Sequence, residues 1–172
     1  MSTSPPLENN KEVFDVSSLI SEKTGKMEEM FHAFKKQIQC AGAAITNSER
    51  KEVHSINAAL YHFSVCMKIA LKMVCLRFAI RYSSNDSLET LLDKAGSLLP
   101  SHIFELASNM CYWHYDVRNE NKSIMTEDEA CAIGFTFETY FNDFILEYTC
   151  EMKRSTKGFS RNWTNVQPLE LF

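Results

Sequence analysis

Apolar residues recur along most of this chain at alternating intervals of three and four, the spacing that keeps one face of an α-helix hydrophobic. From about Ser18, one such stripe runs through Met27, Phe31, Phe34, Ile38, Ala41 and Ile45. Thr46-Asn-Ser-Glu49 then has the form of a capping box, with Thr46 accepting from a backbone N–H and Glu49 reaching back. A second helix is predicted from Val53 through Ile56, Leu60, Phe63, Met67, Ala70, Val74 and Phe78. Ile69, Met73, Leu76 and Ile80 add a second stripe, so its C-terminal half is expected to be the most buried stretch of the molecule. It is expected to stop near Tyr82, where Ser83-Ser-Asn-Asp-Ser87 punctuates the chain.

A short helix, Ser87 to Ala95, is predicted to end at Gly96 with Pro100 just beyond. Ser101 caps the next, whose stripe is Ile103, Leu106, Met110, Trp113 or His114, and Val117, until Asn119-Glu-Asn-Lys-Ser123 breaks it. Thr126-Glu-Asp-Glu129 is a second capping box, with acids where a helix dipole is positive. It opens a last long helix carrying Ala130, Ile133, Phe137, Phe141, Phe144, Tyr148 and Met152. Four substantial helices with short connections and one short helix between them define an all-α, up-and-down bundle of four to five helices. The pattern divides the chain into an N-terminal arm (1–17), a bundle (18–154) and a tail without period (155–172).

Composition supports that division. The chain has 172 residues, enough for one self-sufficient core. Its glycines and prolines number five and four, about 5% together against a usual level of roughly 12%, too few turn residues for a sandwich or barrel. The formal charge of −4 argues against wholesale coating of nucleic acid.

Six cysteines, Cys40, Cys66, Cys75, Cys111, Cys131 and Cys150, contain no C-x-x-C pair and lie in apolar helical patterns. They read as reduced thiols packed as small hydrophobes in a reducing compartment, rather than as a zinc site or a disulfide scaffold. The first ten residues lack both a basic and an apolar signal region. Ala58 to Ile80 is long enough to span a bilayer, but it carries His62, Lys68, Lys72 and Arg77. Tyr61, Val65, Lys68 and Lys72 share a stripe, so the segment is expected to be a buried amphipathic helix, and the protein cytoplasmic with no membrane partner.

Phosphate-binding glycine loops, H-E-x-x-H and G-x-S-x-G are all missing from the sequence, and no cofactor or metal is expected. The distinctive stretch is Cys111-Tyr-Trp-His-Tyr-Asp-Val-Arg-Asn-Glu-Asn-Lys-Ser123. His114 and Arg118 are four apart and share a helix face, with Asp116 or Glu120 able to orient one of them. An arginine fork beside an imidazole that titrates near neutrality is chemistry suited to a phosphate. The plainer reading, with Trp113 and Val117 in the core and Arg118 in a salt bridge near the helix end, carries more weight.

The order of these elements resembles the HEPN superfamily (higher eukaryotes and prokaryotes nucleotide-binding domain): two long antiparallel helices, the Leu-rich Ser87–Gly96 element, a helix ending in Val117-Arg118-Asn119, then Met125-Thr-Glu-Asp-Glu-Ala130 into a final long helix. The resemblance covers about residues 20–153. In that family an Arg, usually followed by a polar residue such as Asn, precedes a His by four to six positions. Arg and His meet their symmetry mates across a dimer interface and cleave RNA without metal. Arg118 and Asn119 match the first half; positions 122–124 are Lys122, Ser123 and Ile124, with no His. Lys122 can contact a phosphate but cannot cycle a proton near pH 7 as imidazole does. The resemblance therefore implies a degenerate member that dimerises and binds a partner protein or RNA, in a defence or toxin–antitoxin setting. Binding residues would be Asn119, Lys122, Trp113 and Asp116; the alternative is a metal-independent endoribonuclease using Arg118 with His114.

The C-terminal hexapeptide adds a third reading, an adaptor that docks by its tail. Gln167, Leu169, Leu171 and Phe172 resemble the short peptide that docks bacterial sliding clamps, although Pro168 interrupts the spacing. Packing of Phe159, Trp163 and Phe172 back on the bundle is preferred over it.

Overall fold

The computed structural model describes residues 16–46, 53–119 and 125–162, with side chains for 18–46, 56–113 and 125–155. Among the described residues there are five α-helices: α1 (Val16–Thr46), α2 (Val53–Arg77), α3 (Leu88–Ala95), α4 (Ser101–Asn119) and α5 (Glu127–Asn162), with one 3-10 turn, Gly96–Leu98, after α3. Among the described residues there is no strand. The chain is an all-α helical bundle.

Contacts along the helices fix their directions. Lys23 Nζ donates to the carbonyl of Arg77 at 3.3 Å, and Gln37 Oε1 lies 2.7 Å from His62 Nδ1, so α1 and α2 run antiparallel. Phe63 meets Phe137 edge-on at one level and Arg77 meets Glu147 and Glu151 further along, so α5 runs parallel to α2. Helix α2 packs against α1, α3, α4 and α5, and it is the axis of the bundle. Ala70, Leu71, Met73, Val74 and Cys75 are all buried in its C-terminal half, although of the expected second stripe only Met73 is fully buried and Ile69, Leu76 and Ile80 are half-buried. Ile56–Arg77 has the length and composition to cross a membrane, yet 56% of that window is buried inside the protein.

The predicted stripes supply the core. Met27, Phe34, Ala41 and Ile45 of α1 are buried, as are Phe137, Phe141, Phe144 and Tyr148 of α5. Phe34 and Phe141 meet with ring centroids 5.3 Å apart and tilted planes, joining α1 to α5. Each such side chain contributes about 1.5–3 kcal/mol by leaving water. At the start of α5, Thr126 N donates to Glu129 Oε2 at 2.8 Å and Glu129 N donates to Thr126 Oγ1 at 3.2 Å, the reciprocal capping box expected there. The Ser87 cap of α3 is also present, accepting from Thr90 N.

Five expectations are corrected. Thr46 does not open a helix: it is the last residue of α1, and its hydroxyl donates back to the carbonyl of Gly42 at 3.0 Å. Asn47–Glu49, the rest of that capping box, lie outside the described residues. Helix α2 stops at Arg77 rather than near Tyr82. Ala79 turns left-handed at φ 55°, Ile80 N donates to Cys75 O at 2.8 Å and Ala79 N to Leu76 O at 3.5 Å. Those two bonds make a Schellman ending, which folds Ile80 back against the core and turns Phe78 outward. Phe78, assigned above to the core stripe, is 48% exposed. Helix α5 runs to Asn162, so the first eight residues of the expected tail are helical. Cys131 and Cys150 are exposed rather than packed, while Cys66, Cys75 and Cys111 are buried as expected; all six thiols are free.

Arg77 ties the C-terminal end of α2 to α5. Its guanidinium is 2.6 Å from Glu151 and 3.4 Å from Glu147, its side chain is 11% exposed, and it lies over the Phe144 ring at 4.7 Å. An arginine fork can pair with carboxylates and stack on a ring at once, which lysine cannot do.

Ala79 is a residue with a Cβ in a left-handed conformation, which costs about 1–2 kcal/mol relative to glycine's freedom there. Ala79→Gly is expected to raise the stability by about 1 kcal/mol, seen as a higher urea midpoint at unchanged m-value.

Candidate functional site

The predicted site residues fall at the C-terminal end of α4. The helix is continuous to Asn119, so His114, Asp116, Arg118 and Asn119 occupy its last two turns, with His114 and Arg118 one turn apart. Their side chains, and Lys122 in the following connection, lie outside the described residues. So do Gln167, Leu169, Leu171 and Phe172. Trp113 is half-buried and packs against the core, which matches the plainer of its two readings.

Position 111 is one turn before 114 and two before 118 on the same stripe of α4. Cys111 lines an open depression of about 390 Å³ between α2, α3 and α4. Lys68 and Glu89 supply opposite charges to it, Tyr61, Ser64 and Ser87 supply hydroxyls, and Val65 and Leu88 supply apolar wall. Two of those hydroxyls are engaged: Ser64 donates to the carbonyl of Leu60 and Ser87 accepts from Thr90 N. The Cys111 thiol donates to the carbonyl of Ala107 at 3.4 Å. Burial, reinforced by Glu89 and Asp93, pushes that thiol above its ordinary pKa. Cys111 is therefore protonated at neutral pH and no nucleophile.

A second depression, of about 600 Å³, lies on the other side of the α2 stripe, between α1 and α2. Met30, Ala33, Ile69 and Ile80 give it an apolar floor, and Lys26, Lys72 and Arg81 stand around it. Lys26 lies 5.5 Å from the Tyr82 ring centroid, and the Tyr82 hydroxyl donates to Met30 Sδ at 3.9 Å. Lys72 Nζ donates to the carbonyl of Ser84 at 2.9 Å. Burial first, then the neighbouring Lys68, lower the pKa of Lys72, with Asp86 opposing. Asp86 is itself held by Lys94 at 2.7 Å, which keeps its carboxyl below the usual carboxylate range. None of Lys26, Lys68, Lys72 and Arg81 forms an ion pair with a described carboxylate.

Sequence reasoning singled out the Tyr61–Val65–Lys68–Lys72 stripe, but not Lys26, Arg81 or Tyr82. The first joins it only through the register of α1 on α2, the others through the turn after Arg77. Among the described residues, no cluster of three or more His, Cys, Asp or Glu side chains is placed to hold a metal ion. The fold and these depressions define a class, an all-α bundle with an open, cation-bearing face. No protein-family model, curated protein or solved structure matches the chain.

Exposure and thiol pKa together predict an order of reactivity. Burial raises the pKa of Cys66 to about 12, and those of Cys75 and Cys111 also rise. With a disulfide reagent such as DTNB at neutral pH, Cys131 and Cys150 of the folded protein are expected to react first. Cys66 and Cys75 should react only at the rate of unfolding, and Cys111, which lines the open depression, between the two groups, read by peptide mass mapping against time.

Proposed function

We propose that this chain is a HEPN-like helical module, dimeric and non-catalytic or weakly catalytic, that acts by binding a partner protein or RNA. The observation that carries the reading is the placement of Arg118-Asn119: both lie in the last described turn of α4, ahead of the capped α5. The order of two long antiparallel helices, a short α3, α4 and a long α5 supports it. Chemistry argues for binding over turnover. Positions 122–124 hold no histidine, and a lysine at 122 stays charged where a base must shed its proton. In this reading Arg118 is a forked phosphate donor, helped by Asn119 and Lys122, and the module meets its symmetry mate through the α4 end. A defence or toxin–antitoxin role follows from the resemblance, and a cytoplasmic one from the pattern of the six cysteines.

The test is incubation of the purified protein with labelled single-stranded RNA in EDTA, scoring binding and cleavage in one gel, beside Arg118→Ala and His114→Ala, with sedimentation equilibrium on each. The reading predicts a dimer that binds without efficient cleavage, weakened by Arg118→Ala by about tenfold, the effect of about 1.4 kcal/mol. Cleavage abolished by both substitutions would replace it with a metal-independent endoribonuclease. A monomer that neither binds nor cleaves RNA would remove it.

A further inference from the structure

We propose that the open face of α2 is a docking groove for one acidic amphipathic helix of a partner protein. This proposal does not rest on the Arg118-Asn119 helix end.

Helix α2 carries Tyr61, Val65, Lys68 and Lys72 at intervals of four, three and four. Helix α1 carries Lys26, Met30, Ala33 and Gln37 at the same intervals. Such a 4-3-4 stripe is the seam one helix presents to another. Here two antiparallel helices present their seams side by side, and Tyr61, at one end, is 57% exposed. The two depressions flank the α2 seam, at about 390 Å³ toward α3 and α4 and about 600 Å³ toward α1. Eleven residues of α1 separate Lys26 from Gln37, which is about 17 Å or three helical turns. The groove therefore has the length and the double seam to seat a further helix of three to four turns.

Its chemistry specifies that helix. The floor between α1 and α2 is apolar, made by Met30, Ala33, Ile69 and Ile80, and Val65 and Leu88 line the separate depression on the far flank of α2. Leucine-type side chains one turn apart would fill it. Around that floor stand Lys26, Lys68, Lys72 and Arg81, none paired with a described carboxylate, on a chain whose formal charge is −4. The neighbouring Asp86 is occupied by Lys94 and the backbone of Ser83. Lys68 and Lys72, one turn apart, repel each other, and burial disfavours the charge on Lys72. Carboxylates brought in by a ligand would offset the repulsion and favour the charged form of Lys72. A nucleic acid fits less well. Glu29 and Glu89 stand in the walls, where a phosphate backbone needs an unbroken cationic track. The Tyr82 ring is covered by Lys26, which removes it as a stacking platform.

The test is a selection from a displayed random peptide library of about 14 residues, three to four turns in length, on the full chain. The strongest binder is then measured by fluorescence anisotropy, with a U-rich RNA of the same length titrated in parallel. The proposal predicts enrichment of Asp and Glu with apolar residues at i, i+3, i+4 and i+7. It predicts that Lys68→Glu/Lys72→Glu weakens the selected peptide by about tenfold or more, and that exchanging the peptide's carboxylates for lysines restores binding to that variant. Lys26→Glu/Arg81→Glu, on the opposite wall, should weaken the original peptide likewise, and each variant's melting temperature establishes that it folds. An enriched pool without acidic residues, or a peptide that binds both variants as tightly as the parent, overturns the proposal. So does RNA binding that the double variants abolish when no peptide is selected, since the groove would then belong to nucleic acid. A selection that succeeds only after removal of residues 1–15 would assign the groove to the chain's own leading segment and overturn a partner helix.

Discussion

Helix α2 has too little polar surface to face water on more than one narrow side, and that constraint organises the molecule. Ten of its described residues are buried, spread over about 200° of the helix circumference. No single partner helix can cover so wide an apolar surface. Helix α1 takes one flank, α5 a second, and α3 with α4 a third. The short α3 and the 3-10 turn after it are what allow the chain to leave α2, cover its flank and return as α4. Gly96 marks how closely this is done, since a Cβ there would lie 2.7 Å from the Phe104 ring. The fourth side, Tyr61 to Lys72, stays open and carries the lysines that no described element neutralises.

The same constraint explains how α2 ends. A continued helix would keep Ile80 on the stripe of Met73 and Leu76, one turn further along the axis. The left-handed Ala79 instead folds Ile80 inward and frees the next segment to place Arg81 and Tyr82 over α1. Arg77, at that end, is held between two glutamates and an aromatic ring of α5. A local backbone strain thus builds one wall of the open groove, linking helix termination to the surface available for recognition.

Much of the fold was legible because helix faces repeat locally. The stripes of α1, α4 and α5, the Ser87 cap and the Thr126–Glu129 box each need only a few neighbouring residues to be recognised. What was not legible depends on distant pairs or on signals without a sequence mark. The end of α2 uses alanine where glycine is the usual flag. The tie of Arg77 to Glu147 and Glu151 spans about seventy residues of chain. Helix α5 passes through Gly158 to Asn162 although the apolar period fades at Met152. The groove was half visible, as the lysine stripe of α2. Its other half belongs to α1, and only the antiparallel register brings Lys26 and Met30 beside Lys72 and Ile69.

The central claim is that α2 is the axis on which every other helix depends. Native-state hydrogen exchange resolved along the chain measures this directly. Amides of residues 63–75 are expected to exchange last, with a protection free energy equal to the global unfolding free energy, while the last two turns of α5 exchange well before them. Exchange of α2 ahead of α1 and α5 would contradict the account, because the bundle would then be held together without its axis.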